Sequence, residues 1–247
     1  MNKKNYDDKK MPFVDHLEEL RWVLIKCIIA VVVLSIGCYF FSEHIQNFLT
    51  RLYPYKLGYL GVSDAFIIRL KLSIVTGAIV GLPFIVYQFW TFIAPGLLER
   101  ERKYIPIIVI FTTVCFLVGA AFAYFVIIPF GLRFLSSFQT ENVVQTVVIN
   151  KYLSFVVWLM IVFGLVFELP LLSAFLTKIG IINYRTLKRV RKYSIIVIFV
   201  AAAMLTPPDP QTQLFLAGPL ILLYEISIFI SRMIGRKKEK KEKEEEE

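Results

Sequence analysis

Tyr152–Thr177 reads YLSFVVWLMIVFGLVFELPLLSAFLT and contains a single charged residue, Glu168. The run between Lys151 and Lys178 is long enough for a tilted membrane-spanning helix, which needs about 20 apolar residues. A charged and unpaired carboxylate at that depth costs several kcal/mol. Pro170 follows two residues later and removes a backbone hydrogen bond from the helix. The stretch therefore predicts a bent membrane helix whose polar side faces the protein interior or a watery cavity.

Two interpretations of Glu168 stay open. A protonated glutamate that is hydrogen-bonded to a neighbouring helix would be purely structural. An ionisable residue inside a membrane is functional by default, however, so Glu168 is also a candidate functional residue. Glu168 is the one acidic residue predicted at this depth of the membrane; Glu225 is predicted near the inner end of a later span.

The composition predicts a multi-spanning membrane protein. Hydrophobic residues make up 57% of the 247 residues, whereas soluble domains contain about 45–50%. The first apolar run, Trp22–Phe41, is too long for the core of a cleavable signal peptide and is predicted to remain as a span. The net charge of +9 fits the excess of Lys and Arg in cytoplasmic loops, so we expect no nucleic-acid partner.

The predicted fold class is an all-α membrane protein with six transmembrane helices. We expect one domain over residues 1–231 and a disordered, charged cytoplasmic tail over residues 232–247. The fifth and sixth spans are expected to be short, with about 14 and about 18 residues against a hydrocarbon core of about 30 Å. The predicted spans are Trp22–Phe41, Ser63–Gly96, Tyr104–Ile128, Tyr152–Thr177, Tyr193–Thr206 and Leu214–Ser231, the last interrupted by Pro219.

The distribution of Lys and Arg predicts the orientation. Most of the 28 basic residues lie in the segment up to Lys26, in residues 100–103, in residues 178–192 and in the tail from Arg232. Basic segments stay in the cytoplasm. Six spans with both termini in the cytoplasm, in the plasma membrane, is the consistent prediction.

The sequence carries no recognisable catalytic motif. It has neither the glycine-rich phosphate loop ending in Gly-Lys-Ser/Thr nor the His-Glu-x-x-His zinc motif, and its two histidines, His16 and His44, lie outside the predicted spans. Nothing indicates a cofactor. We therefore expect a protein that binds or moves something and is not an enzyme.

The predicted cytoplasmic face is basic but contains two acidic spots, Glu18-Glu19 and Glu99/Glu101. A carboxylate at this surface could accept a bidentate hydrogen bond from an arginine of a partner. The alternative is pairing with the neighbouring basic residues, and spacing alone favours that local pairing. The neighbours are Arg21, Arg100 and Arg102.

Six sequence motifs together resemble the TatC family, the multi-spanning receptor subunit of the twin-arginine translocase. They occur in family order between about His16 and Arg232, which makes the resemblance specific. The motifs are His16–Arg21 (HLEELR), Tyr87–Leu97 (YQFWTFIAPGL) with Glu101–Lys103 (ERK), Phe122–Phe125 (FAYF), Phe163–Pro170 (FGLVFELP), Leu205–Asp209 (LTPPD) and Leu223–Ile226 (LYEI).

The resemblance implies a glove-shaped bundle with a concave face towards the bilayer. It implies that Glu19 and Glu101 receive the paired arginines of a signal peptide, and we include the neighbouring Arg21 and Arg102 in that candidate site. It also implies that Glu168 lines the concavity, where Gln88 is a second candidate polar residue. Thr206 and Gln213 are the residues expected to dock a partner helix.

The implied partners are single-span subunits of the TatA and TatB type, Arg-Arg signal peptides with their folded cargo proteins, and further copies of this chain within the complex. Transport would be driven by the proton motive force, without a cofactor. Two other interpretations stay open: a proton-coupled transporter of small solutes that uses Glu168 as proton carrier, and a structural membrane subunit without a ligand. A transporter would be expected to show an internal repeat and paired intramembrane charges, and neither is visible in the sequence.

Overall fold

The computed structural model describes residues 13–53, 56–96, 102–137, 147–205 and 210–246. These residues are almost entirely helical. The helices are α1 (Phe13–Tyr39), α2 (Ser42–Thr50), α3 (Asp64–Val80), α4 (Leu82–Ile93), α5 (Ile105–Phe122), α6 (Ile128–Ser136), α7 (Ile149–Phe167), α8 (Leu169–Ile179), α9 (Tyr184–Leu205) and α10 (Pro210–Glu246). The shorter elements are a 3₁₀ turn (Ala94–Gly96), a π-helical turn (Ala123–Ile127) and the parallel strands β1 (Leu57–Gly58) and β2 (Val147–Val148).

Aromatic contacts join several helix ends at one end of the bundle, which we call the proximal end. The ring of His16, near the start of α1, stacks on Phe92 near the end of α4. Trp90 of α4 packs edge-on against Phe175 of α8, with ring centroids 4.5 Å apart. The start of α1 and the ends of α4 and α8 therefore lie together.

Tyrosine hydroxyl groups organise the opposite end, which we call the distal end. Tyr124 and Tyr152 donate hydrogen bonds of 2.7 and 3.0 Å to the carbonyls of Phe48 and Leu49 near the end of α2. The last carbonyls of a helix have no partner within the helix, so these bonds satisfy groups that would otherwise be unpaired. Tyr124 reaches α2 from the π-helical turn, a local widening of the helix between α5 and α6.

The described helices follow one another as six stretches: α1, α3 with α4, α5 with α6, α7 with α8, α9, and α10. Four stretches are long and apolar enough to cross a membrane, and the pair α3–α4 makes a fifth if its 54° bend lies within one crossing. The helix α9 is excluded because its first half is basic. The four stretches are His16–Tyr39, Ile105–Ser136, Ile149–Ile179 and Pro210–Arg236. A helical membrane protein is thus confirmed, and the number six stays a prediction.

The last helix is longer than we expected. The prediction of a short sixth span interrupted at Pro219 is wrong, because α10 continues through this proline and its apolar part, Pro210–Arg236, has 27 residues. Proline is tolerated inside a membrane helix when neighbouring helices pack around it. Leu216 and Leu220, on either side of Pro219, are each 2% exposed.

The charged tail also differs from expectation. We expected disorder over residues 232–247, but α10 extends to Glu246. Lys and Glu have high helix propensity, and the tail consists mostly of these two residues. A helix that is already formed in the apolar part needs no new nucleation to continue through them.

Glycines allow two helices to meet backbone to backbone. A Cβ atom added to Gly119 of α5 would lie 2.6 Å from the carbonyl oxygen of Phe163 on α7. One added to Gly164 of α7 would lie 2.6 Å from the ring of Phe116 on α5. Small residues permit such close approach between membrane helices, where lipid supplies no hydrophobic force to drive association.

Buried hydroxyl groups join α8 to α10. The Oγ atoms of Thr177 and Ser231 lie 2.7 Å apart within hydrogen-bond distance, and Ser173 Oγ donates to the Ser227 carbonyl at 3.2 Å. All four residues are buried. Since α8 ends at the proximal end, these contacts place Ser231 there as well, on the same side of the bundle as the start of α1.

Candidate functional site

The proximal end brings together two stretches that are far apart in the sequence. The His16 ring stacks on Phe92 with centroids 4.2 Å apart and an interplanar angle of 8°. This stacking seats the start of α1 against the end of α4. Glu19 lies almost one helical turn after His16, and its Oε2 is 3.6 Å from the His16 Nδ1. The carboxylate therefore sits at the junction between the two stretches.

Among the described residues, the Glu19 carboxylate is within ion-pair distance of His16 and of no arginine or lysine. Its side chain is 33% exposed, but its Oε2 atom is buried and makes no hydrogen bond within the described residues. Arg21 is exposed and forms no ion pair with Glu19 in this part of the chain, so local pairing of these two residues is not observed. A partly exposed carboxylate can accept hydrogen bonds from a guanidinium group of another molecule.

The loop after α4 is tied back to the same junction. Arg102 Nε donates a 2.8 Å hydrogen bond to the carbonyl of Ala94 in the 3₁₀ turn. Glu101 lies outside the described residues, as do Glu99 and Arg100. The fixed position of Arg102 nevertheless sets where the loop re-enters the bundle, directly before α5.

A cluster at the proximal end supports both ends of this loop. Lys178 Nζ lies 3.4 Å from the ring centroid of Tyr104, a cation–π contact between the start of α5 and the end of α8. The edge-on pair of Trp90 and Phe175 lies in the same cluster and joins α4 to α8. The end of α4 and the start of α5, which the loop connects, therefore both pack against α8.

Glu168 occupies the break between α7 and α8. The predicted helix interruption at this residue is confirmed, since α7 ends at Phe167 and α8 begins at Leu169. The residue is 7% exposed and faces Thr112 and the backbone of Phe116 on α5. Neither carboxylate oxygen has a partner in good hydrogen-bond geometry among the described residues. Of the two predicted surroundings, the structure shows the protein interior.

The second predicted intramembrane polar residue does not join Glu168. Gln88 is half-buried on α4, and it is not hydrogen-bonded to the Glu168 carboxylate. No direct hydrogen bond therefore joins Gln88 and Glu168. A common concave face for them stays a prediction.

The predicted docking residue Gln213 lines an open apolar groove between α9 and α10. Its Nε2 donates a 3.0 Å hydrogen bond to the Phe199 carbonyl, while Thr206 lies outside the described residues. The groove has a volume of about 410 Å³. Its other lining residues are Ile195, Ile196, Phe199, Val200, Ala203 and Met204.

Polar contacts also hold α9 to α10 near the proximal end. Tyr224 donates a 2.8 Å hydrogen bond to the Leu187 carbonyl, and Arg191 Nε lies 2.6 Å from Glu225 Oε1. The second half of α9 presents exposed apolar side chains instead, from Ile196, which is 60% exposed, to Met204, which is 82% exposed. Side chains of α10 thus bind the backbone of α9 in both of its halves, at Leu187 and at Phe199, and an apolar face of α9 stays exposed.

Sequence reasoning missed the contacts that assemble the proximal site. His16 and Phe92, like Tyr104 and Lys178, are far apart in the sequence, and no local pattern joins them. The available signal was the aromatic composition of Tyr87–Leu97 next to a loop that contains Glu99 and Glu101. Within the described residues, no group of three or more His, Cys, Asp or Glu residues could hold a metal ion.

Comparison with known proteins gives consistent matches over most of the chain. Residues 15–219 match the family model of the Sec-independent protein translocase protein TatC. The TatC proteins of Desulforapulum autotrophicum and Carboxydothermus hydrogenoformans are 38% and 40% identical to this chain, covering 96% and 94% of it and 90% and 97% of the relatives. The crystal structure of the twin arginine translocase receptor TatC, 36% identical, matches with a TM-score of 0.79 over 89% of this chain and 99% of that one.

Proposed function

Because this chain belongs to the TatC family, we propose that it is the receptor and scaffold subunit of a twin-arginine translocase. TatC proteins are membrane components of a Sec-independent protein translocase and are not enzymes, as the sequence predicted. In this proposal the chain binds Arg-Arg signal peptides of folded proteins at its proximal end. It then assembles with single-span subunits of the TatA and TatB type for export driven by the proton motive force.

The observation that carries the receptor proposal is the junction of α1 with the loop after α4. His16 stacks on Phe92, and Arg102 is bound to Ala94 beside it. The Glu19 carboxylate lies at this junction and is partly exposed, with a side-chain exposure of 33%. Glu101, the other proposed receptor carboxylate, directly precedes Arg102 in the sequence. The two consecutive arginines of a signal peptide need two carboxylate acceptors that lie close together.

The orientation in the proposal is six spans with both termini in the cytoplasm of the cell, in the plasma membrane. The position of Ser231 beside α8, at the same end of the bundle as the start of α1, supports it. So does the concentration of basic residues near the proximal end. The cytoplasmic side is then the proximal end, where a signal peptide arrives before transport.

The apolar groove between α9 and α10 is the proposed docking place for a partner helix. It is open, almost entirely apolar and contains one amide, Gln213. A single-span helix could replace lipid there and gain packing contacts together with a polar contact, the two forces that drive helix association in membranes. Thr206 belongs to this proposal by sequence position. Further copies of the chain would assemble around the same complex.

The alternative function, proton-coupled solute transport through Glu168, has one observation in its favour. A buried carboxylate without good hydrogen bonds is costly, and such groups often take part in proton transfer. The surroundings of Glu168 are packed helix surfaces, however, and no second buried acid faces it among the described residues. The receptor proposal does not need a proton path through Glu168.

Signal-peptide binding tests the proposed receptor site. Purified protein in detergent is titrated with a labelled Arg-Arg signal peptide and with its Lys-Lys version. Glu19→Ala or Glu101→Ala should weaken Arg-Arg binding by about 1.5–3 kcal/mol, the scale of a hydrogen bond to a charged group. The matched control is Glu18→Ala, because Glu18 is an exposed acid next to Glu19 and should contribute little. Equal binding of the Arg-Arg and Lys-Lys peptides, or equal losses with Glu18→Ala and Glu19→Ala, would contradict the proposal.

A further inference from the structure

Lys71 is a half-buried cation near the distal end with a neutral partner. Its Nζ donates a hydrogen bond to Ser154 Oγ, across the contact between α3 and α7. Ser154 in turn donates to the carbonyl of Asn150 at 2.6 Å. Within the described residues no carboxylate lies within ion-pair distance of Lys71. Its positive charge is therefore positioned but not neutralised.

A second lysine lies about one helical turn from the serine that binds the first. Lys151 is exposed and precedes Ser154 by three residues on α7, so the two side chains project from the same face of that helix. The acids described at this end are engaged elsewhere. Glu43 pairs with Arg69 at 2.9 Å, and Asp64 accepts two backbone N–H groups from the loop before α3. Lys71 and Lys151 thus both lie next to Ser154 or within one turn of it, and neither has an acidic partner among the described residues.

An apolar surface continues from this pair towards the middle of the bundle. Ile74 follows Lys71 by three residues on α3 and is 48% exposed. Trp158 follows Ser154 by four residues on α7 and is 55% exposed. At helical spacing these residues lie on the same faces as the polar groups, about one turn deeper. The surface is cationic near the distal end and apolar below it.

We propose that Lys71 and Lys151 bind the phosphodiester group of an anionic phospholipid whose acyl chains lie against Ile74 and Trp158. In a membrane, a phospholipid is the molecule that carries an anionic phosphate directly above long apolar chains. Ammonium groups bind phosphate as point charges, and two of them around one phosphodiester neutralise it. Ser154 holds the Lys71 ammonium in place and leaves its remaining N–H groups for the lipid.

Native mass spectrometry of the purified full chain tests this site. The protein in a non-ionic detergent is mixed with phosphatidylglycerol or with phosphatidylcholine of the same acyl chains, and the bound lipid is counted. Wild type should retain one phosphatidylglycerol more strongly than phosphatidylcholine. Lys151→Gln should lower that affinity about fivefold, and Lys71→Gln with Lys151→Gln about 30-fold, from the contribution of each lysine near a charged lipid surface. Lys56→Gln is the matched control, since Lys56 is also exposed near the distal end.

The design separates lipid binding from a structural role of the lysines. Lys151 is exposed, so a loss of lipid in Lys151→Gln with an unchanged melting temperature supports the site. Equal retention by wild type and the double variant would overturn the proposal, as would an equal loss in Lys56→Gln. Inorganic phosphate should leave most of the lipid bound, because it lacks the apolar part. Complete displacement by phosphate would show a free-anion site and would also overturn the assignment.

Discussion

A methyl group added at Gly119 should force α5 away from α7. The new Cβ of Gly119→Ala would lie 2.6 Å from the carbonyl oxygen of Phe163 and 2.9 Å from the Cα of Gly164. Both are backbone atoms, so no side-chain rotation can relieve the contact, and one helix must move. Overpacking of this kind costs about 1–3 kcal/mol.

The opposing term is helix propensity. Alanine is favoured over glycine by about 1 kcal/mol in a helix interior. Two backbone contacts below 3 Å put the clash at the upper part of its range, so Gly119→Ala should destabilise by about 2 kcal/mol net. For a chain of this size, that corresponds to a fall in melting temperature of about 4–8 °C.

The control is Gly218→Ala in α10. A Cβ at Gly218 meets no atom within 4 Å, so this variant gains propensity without a clash and should melt at the wild-type temperature or slightly above it. Both variants are purified in the same detergent and melted by intrinsic fluorescence. A Gly119→Ala protein as stable as wild type, or equal losses in both variants, would refute the backbone contact between α5 and α7.

Three further predictions concern transport and topology. Glu168→Gln should retain most export of an Arg-Arg cargo, whereas Glu168→Leu should lose export at near-normal protein level. The reason is that Leu removes the polarity of the side chain, while Gln removes only its ability to ionise. A Gln variant as inactive as the Leu variant would revive the proton-carrier alternative. Four leucines inserted within Tyr193–Leu205 should lower export while the protein still inserts into the membrane. The reason is that a span of full length no longer thins the bilayer locally. Unchanged export would show that the short length of this span is not needed for transport. A reporter fused after Ser231 should be cytoplasmic and one at Asn142 extracytoplasmic, and finding both on one side would contradict six spans.

Hydropathy and turn residues predicted most of the helical passes. The long apolar runs gave the membrane helices, and the pair of Glu168 and Pro170 predicted the break between α7 and α8. The helix through the tail had a local signal in the high helix propensity of Lys and Glu. The bend after α3 had a local signal in Gly81 and Pro83, which follow each other closely in an otherwise uniform apolar run.

The candidate site was predictable as a set of residues but not as an arrangement. Motifs identified Glu19 and Arg102, yet their proximity depends on His16 stacking against Phe92, a contact between distant segments. The π-helical turn that carries Tyr124 could not be predicted either, because one extra residue in a helical turn does not give an apolar sequence a distinct pattern. Such features depend on how helices pack, which a single sequence does not encode locally.

The 54° bend between α3 and α4 determines how far this pair reaches in each direction. Straight, its 17 and 12 residues would extend about 44 Å. Bent, α4 adds about 11 Å along the α3 axis and carries the chain about 15 Å sideways. The axial extent falls to about 36 Å, nearer to the thickness of a hydrocarbon core of about 30 Å. The lateral step is what brings Phe92 against His16 at the start of α1.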